Sequence, residues 1–86
     1  MRINIKQQQL IDELFAKVKE RYPEIVFRYL QPSADDPDDI WINVIADMDE
    51  ERQMEMSHYA AELETDILLE YGYDLSILSH NPNAFL

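Results

Sequence analysis

Apolar residues recur at helical spacing in two segments of the chain. In the first segment, residues 8–22, they lie three or four positions apart, with charged side chains between them. The apolar positions of this segment are Leu10, Ile11, Leu14, Phe15, Val18 and Tyr22. This spacing predicts an amphipathic helix. Pro23 ends it, because the residue before a proline is pushed out of the helical region.

The second helical segment begins after Ala46. Asp47 or Asp49 is its candidate N-cap, and the acidic side chains that follow lie where the helix dipole favours negative charge. Its apolar stripe consists of Met56, Tyr59, Ala60, Leu63, Ile67 and Tyr71, flanked by Leu68. Gly72 comes just after this stripe and is a suitable residue to end the helix at about Tyr71.

Three shorter segments are rich in β-branched and aromatic residues and predict strands. They are residues 24–31, 40–46 and 73–79. Alternation in the first strand places Ile25, Phe27 and Tyr29 on one face and Val26, Arg28 and Leu30 on the other. The second strand is apolar on both faces, which is typical of a central strand covered on at least one side. Residues 32–39, rich in proline and aspartate, predict a loop.

The order of elements is therefore α-β-β-α-β, within a single domain of 86 residues. The second and third strands are joined through a long helix, so we expect them to be parallel, with a right-handed crossover. The first two strands can pair antiparallel. The prediction is an α+β fold in which two helices pack on one face of a small three-stranded mixed sheet. Residues 80–86 are expected to form a flexible tail.

The composition excludes several classes of site. The chain has no cysteine and a single glycine, so it can form neither a disulfide or thiolate metal site nor a glycine-rich phosphate-binding loop. Seven basic and eighteen acidic side chains give a net charge of -11. This charge argues against direct nucleic-acid binding and favours basic partners, cations or simple solubility. No signal peptide or membrane span is recognisable, so we expect a cytoplasmic protein.

Three segments carry a resemblance to a known family. They are QQLIDELFAKVKERYPEIVFRY (residues 8–29), DDIWINVIADMDEERQ (residues 38–53) and AELETDILLEYGYDLSIL (residues 61–78). In the order of their elements and in the residues at the element boundaries, they resemble minimal nucleotidyltransferase domains, including the antitoxin half of paired toxin–antitoxin systems. Those domains open with a helix, a Tyr-Pro-Glu-like turn and a strand. Their second strand carries paired metal-binding aspartates and runs into an acidic helix start.

The chain departs from that family where the chemistry would occur. The resemblance implies a glycine–serine turn with basic residues after the first strand, but residues 30–35 contain neither glycine nor a basic residue. Asp39 matches the first metal-binding aspartate, the second position is Trp41, and Asp74 stands where a third acidic residue sometimes lies. Two carboxylates at i and i+2 on a strand can share two magnesium ions, whereas one carboxylate beside an indole cannot. We therefore expect no catalysis, no bound metal and no cofactor.

Several of these side chains have both a structural and a binding interpretation. Trp41 is either a core residue, an anchor for a partner or a surface on which a base stacks. Arg28 either forms an ion pair, for instance with Asp74 across the sheet, or contacts a ligand. The aspartates of residues 35–39 form either a solvated loop or a cation site, although they lack the glycine and distal glutamate of a calcium-binding loop.

Three functions follow as hypotheses. The first is a non-catalytic protein-interaction domain, antitoxin-like or regulatory, that binds a basic protein partner or assembles with copies of itself. Its candidate binding residues are Trp41, Arg28, Asp39, Asp74, Glu51, Glu55 and Glu62. The second is a magnesium-dependent nucleotidyltransferase with an unusual site around Asp39 and Asp74. The third is an acidic DNA mimic, for which Glu51, Glu55, Glu62 and Asp66 supply a row of charges on one side of the second helix.

Overall fold

The computed structural model describes residues 2–36 and 38–85, with side chains up to residue 83. In chain order the elements are α1 (Ile5–Arg21), β1 (Ile25–Pro32), β2 (Ile40–Ala46), α2 (Glu50–Tyr71), β3 (Leu75–His80) and a closing 3₁₀ helix (Pro82–Phe85). The predicted order α-β-β-α-β is confirmed. The parts of the loop and tail predictions that concern Pro37 and Leu86 lie outside the described residues.

Helix α1 begins earlier than the apolar spacing predicts. Asn4 is its N-cap, and the Asn4 side chain accepts a hydrogen bond from the backbone N–H of Gln7 at 2.7 Å. The Gln7 side chain in turn accepts from the backbone N–H of Asn4 at 3.0 Å. This reciprocal capping box satisfies two N–H groups and fixes the first turn at Ile5. The helix ends at Arg21, just before Pro23, as predicted.

Helix α2 has the caps that the sequence suggests. Asp49 is the N-cap, and its side chain accepts from the backbone N–H of Arg52 at 2.8 Å. At the other end Gly72 has a φ of 76°, in the left-handed region that glycine enters most easily. The Gly72 N–H donates to the carbonyl of Leu68 at 2.9 Å, which closes the last turn.

The sheet has the strand order β1-β2-β3. Strand β2 pairs antiparallel with β1 and parallel with β3. The mixed pairing is the one predicted, and β2 is the central strand. Strand β3 extends to His80, which the sequence places in the tail, because Ile45 of β2 pairs with it. Residues 82–85 form the 3₁₀ helix. The flexibility expected of the terminal residues stays a prediction.

A β-bulge at Arg28 corrects the faces expected for β1. Phe27 pairs with Val44 and Tyr29 with Asn43, so Arg28 has no opposing residue on β2. One extra residue reverses the alternation beyond it. Tyr29 therefore lies on the face opposite to that of Phe27, contrary to the prediction.

Both helices pack on the same face of the sheet, as predicted. The core residues of that face come from all three strands: Ile25, Ile40, Ile42, Val44, Ala46 and Leu75. Against them lie the stripes of the two helices: Leu10, Ile11, Leu14 and Val18 of α1, and Met56 and Ala60 of α2. Tyr71 was expected in the core, but it is exposed. The ammonium of Lys6 lies 4.5 Å from the centre of the Tyr71 ring.

Candidate functional surface

The face of the sheet turned away from the helices is the candidate functional surface, called here the open face. Successive side chains of a strand alternate between faces, so the residues between core positions point away from the helices. The strand pairing assigns to the open face Val26, Tyr29 and Gln31 of β1, Trp41, Asn43 and Ile45 of β2, and Ser76, Leu78 and His80 of β3. Helices α1 and α2 both lie on the opposite face of the sheet.

The open face carries five apolar or aromatic side chains, four polar ones and no carboxylate. Val26 and Tyr29 are 53 % and 45 % exposed, and Trp41, Ile45 and Leu78 are half-buried. The chain carries eighteen acidic side chains, yet none of them lies within the three strands. Carboxylates are therefore confined to the helices, loops and ends of the sheet.

A short chain of polar side chains crosses the centre of this face. Asn43 is only 1 % exposed, and its amide nitrogen Nδ2 donates to Oε1 of Gln31 at 3.1 Å. Its oxygen Oδ1 lies 2.7 Å from Nε2 of His80. Because the Asn43 oxygen can only accept, Nε2 of His80 must carry the proton. One polar group from each strand thus locks the register of the open face.

Carboxylates frame the open face at both ends. At the end where β1 passes into β2, the connecting loop carries exposed Asp35, Asp36 and Asp38. At the other end, β2 leads into Asp47 and the acidic first turn of α2. The acidic segments on either side of β2 in the sequence thus lie at opposite ends of the sheet.

Both outer edges of the sheet are protected against pairing with another strand. On β3, the Ile77 N–H points away from β2 and donates to Oε2 of Glu64 at 2.9 Å. Burial raises the pKa of Glu64, and the hydrogen bond from Ile77 offsets part of that rise. On β1, the Lys19 ammonium donates to the Ile25 carbonyl at 2.6 Å, and Pro32 has no N–H.

Asp39 and Asp74 lie together, at the end of the sheet where β2 and β3 begin. They line one cleft of about 520 Å³, and the Ile40 N–H donates to the Asp74 carbonyl at 3.0 Å. Burial raises the pKa of Asp39, and the charge of Asp74 raises it further. Over residues 2–36 and 38–85, however, no three His, Asp or Glu side chains are placed to hold a metal ion. The proximity of the two aspartates does not complete a ligand set.

The structure bears on the structural interpretations of Trp41 and Arg28, while their roles in binding stay predictions. Trp41 is not between the sheet and the helices: it is half-buried on the open face, opposite Gln31 of β1 and Ser76 of β3. Arg28 lies at the bulge of the outer strand β1, whereas Asp74 directly precedes the other outer strand. The central strand β2 therefore separates the two residues suggested as an ion pair across the sheet.

Glu51, Glu55 and Glu62 lie along the exposed side of α2, within about 60° of one another around the helix axis. They form one row with Asp66, which is also exposed. Glu55 has a structural contact as well, because its Oε2 accepts from the hydroxyl of the buried Tyr22 at 3.1 Å. This contact and the burial of the ring raise the pKa of the Tyr22 hydroxyl.

An ion pair beside this contact joins α2 to the start of β1. The Arg52 guanidinium donates to both carboxylate oxygens of Glu24, at 2.5 and 3.0 Å, and lies over the Tyr22 ring. The hydrogen bonds from Arg52 lower the pKa of Glu24. Arg52 and Glu24 therefore position elements of the fold. The shallow depression that Arg52 lines is otherwise lined by Asp49, Glu51 and Glu55.

Of the nine residues of the open face, only Trp41 is among the candidate binding residues that the sequence suggests. Gln31 was assigned to the end of a strand without a face, because the bulge that sets its face leaves no clear mark in the sequence. His80 was assigned to the tail because Asn81 and Pro82 follow it. The signal in the sequence that could have revealed this face is the alternation of Trp41, Asn43 and Ile45 with the core residues of β2.

None of the helices in the described ranges is long and apolar enough to cross a lipid bilayer. The chain matches no protein-family model, no curated protein sequence and no solved structure.

Proposed function

We propose that this chain is a non-catalytic protein-binding domain that docks a partner on the open face of its sheet. The observation that carries the proposal is the absence of carboxylates from three strands of a chain with eighteen of them. Acidic residues elsewhere keep the molecule soluble, while the open face keeps apolar and aromatic side chains in contact with solvent. Grouped apolar exposure of this kind is typical of interaction sites.

The residue types of the open face suit protein recognition. Trp41 and Tyr29 supply large, rigid contact area with a polar group at the tip, which is why such side chains are enriched at the centres of interfaces. The buried Asn43 hydrogen-bonds to Gln31 and His80 and thereby gives the surface a fixed shape. An antitoxin-like or regulatory role falls within this class of function.

The partner is basic. Carboxylates lie at both ends of the open face and along α2, so a basic chain approaching this domain is attracted from several directions. Such steering speeds association and weakens as salt is added, because the charges involved are exposed and screened. The apolar side chains of the face, such as Val26, Tyr29 and Trp41, make contacts that are insensitive to salt and that determine how slowly the partner dissociates.

Capture from extract of the native host tests the proposal. The tagged full-length chain is compared with a Val26→Ser/Tyr29→Ser double variant and with the control Leu69→Ser. Leu69 is 81 % exposed, but it lies on α2, away from the open face. We expect a basic partner, identified by mass spectrometry, to be retained by the native chain and by the control and to be lost with the double variant. A captured protein that ignores the double variant, or none at all, would refute docking on this face.

A second candidate function is nucleic-acid mimicry, supported by the continuous exposed row of Glu51, Glu55, Glu62 and Asp66 on α2. In that case the captured protein binds nucleic acid, and duplex DNA competes with this chain for it. Charge-neutral Glu51→Gln/Glu62→Gln would then weaken capture more than the Val26→Ser/Tyr29→Ser change does. The opposite ranking supports docking on the open face.

A further inference from the structure

We infer that the element docked on the open face is a single amphipathic α-helix of the partner, with an apolar stripe and Lys or Arg residues at both of its ends. The inference rests on the proposed function and specifies the form and charge of the partner segment. It follows from the dimensions of the face, the state of the sheet edges and the placement of the carboxylates.

The open face is one helix wide. Neighbouring strands lie about 4.8 Å apart, so the outer strands of a three-stranded sheet are separated by about 10 Å. An α-helix with its side chains is about 10–12 Å across. Strand β2 has 7 residues and is therefore about 23 Å long, the length of a helix of about 15 residues. One helix laid along β2 covers the apolar residues of all three strands.

The sheet edges disfavour an extended partner segment. A strand added beside β3 would have to displace Glu64 from the Ile77 N–H. A strand added beside β1 would meet Pro32, the bulge at Arg28 and the Lys19 ammonium on the Ile25 carbonyl. Addition of a strand depends on unpaired backbone groups in a regular row. At each edge a side chain already occupies one backbone group, and on β1 the bulge and Pro32 interrupt the row as well. The surface that remains for the partner is the open face, which contacts a partner through side chains and not through backbone groups.

The carboxylates at the two ends of the open face favour basic residues at the two ends of the docked helix. Asp35, Asp36 and Asp38 lie beyond one end of the face, and Asp47 lies beyond the other. A helix with an apolar middle and basic ends therefore places its cations beside both groups of carboxylates. A second copy of this chain fits less well, because each copy has a net charge of -11 and would bring carboxylates toward carboxylates.

The experiment titrates the ¹⁵N-labelled chain with a designed helical peptide of about 15 residues, which has a Leu stripe and two Lys residues at each end. The control peptide has Glu in place of each Lys. We expect the Lys peptide to shift the indole N–H of Trp41 and the amides of Val26 and Leu78. The Glu peptide should bind at least about tenfold more weakly, as expected for reversed charges at an interface rim.

Two matched pairs of variants locate the contact. Tyr29→Ser should weaken binding of the Lys peptide by about tenfold, whereas Leu69→Ser should leave it unchanged. Asp47→Asn should weaken binding and reduce its salt dependence, whereas Glu13→Gln on α1 should do neither. All four positions are exposed, so the variants are expected to keep the native spectrum away from the substituted site.

Several results would overturn the inference. They are equal binding of the two peptides, shifts confined to the acidic row of α2, the absence of any shift, or dimerisation of the free chain that Tyr29→Ser abolishes. If the partner captured from extract still depends on Val26 and Tyr29 while the peptide does not bind, the docked helix is wrong and the protein-binding function stands. If neither depends on the open face, both proposals fail.

Discussion

The carboxylate of Glu64, on α2, accepts a hydrogen bond from the backbone N–H of Ile77, on the outer edge of β3. A side chain of the crossover helix thus occupies the position that a fourth strand would take. The contact joins residues 13 positions apart in the chain, and it places an ionisable group in a half-buried position. It therefore couples the stability of the sheet edge to pH.

Replacing Glu64 tests this coupling. The pKa of Glu64 is raised above the ordinary value of 4.5. At a pH just above 4.5, the folded state therefore binds more protons than the unfolded state. Stability from this group is therefore present at low pH and is lost as the pH rises. Glu64→Gln keeps an acceptor for Ile77 without the charge, so its stability relative to the native chain should be higher at pH 7 than at pH 4. Urea unfolding at the two pH values measures this, with Glu62→Gln as control.

The variant Glu64→Ala should behave differently from Glu64→Gln. It removes the acceptor and leaves the Ile77 N–H unsatisfied in a half-buried position, at a cost of about 1 kcal/mol. If Glu64→Ala and Glu64→Gln are equally stable at pH 7, the hydrogen bond contributes nothing.

Asp39→Asn should stabilise the protein at neutral pH. Burial and the charges of Asp74, Asp36 and Asp38 all raise the pKa of Asp39, so the ionised form is disfavoured in the folded state. The gain should shrink as the pH falls and the native carboxyl becomes protonated, which is the same sign as for Glu64. Thermal unfolding of Asp39→Asn and of the exposed loop control Asp35→Asn, followed over the same pH range, measures the difference. A gain that does not vary with pH would contradict this explanation.

Asn43→Ala should lower the free energy of unfolding by about 2 kcal/mol, because it removes a buried amide that hydrogen-bonds to both Gln31 and His80. Ser76→Ala on the same face is the control and should have little effect. Nitrogen NMR of the His80 ring provides a second measurement, since the geometry requires the proton of the neutral ring to be on Nε2. A ring protonated only on Nδ1 would contradict the hydrogen-bond chain.

Gly72→Ala should cost about 1 kcal/mol in the free energy of unfolding. A Cβ atom at this position would have no neighbour within 4 Å, so the cost comes from the positive φ of 76° and not from a clash. Gly72→Asn should cost less, because asparagine tolerates this backbone conformation better than alanine does. Chemical denaturation of the two variants decides the matter: equal losses would point to another cause.

The periodicity of the sequence was enough to predict the element order, the central position of β2 and the side on which the helices pack. Those features depend on many residues at once, so an error at one position changes little. The helix caps were predictable where one residue dominates, as at Asp49 and Gly72. The start of α1 was missed because its capping box uses Asn4 and Gln7 within a polar segment that shows no apolar spacing.

The open face was harder to predict because it depends on one backbone irregularity. Without the bulge at Arg28, Tyr29 would share a face with Phe27 and point toward the helices. A bulge arises from the fit between two strands and not from one residue type, so a single sequence gives little warning of it. The contacts of Glu64 with the Ile77 N–H and of His80 with Asn43 were also missed, since they join groups 13 and 37 positions apart in the chain.

The central position of β2 has a consequence for local unfolding. Strands β1 and β3 can each detach while β2 keeps one hydrogen-bonded neighbour, but β2 cannot leave without breaking both ladders and uncovering Ile40, Ile42 and Val44. The β2 amides are therefore expected to exchange with deuterium only when the whole molecule opens. The strand with a carboxylate-rich segment at each end is thus the part of the chain that reports global stability.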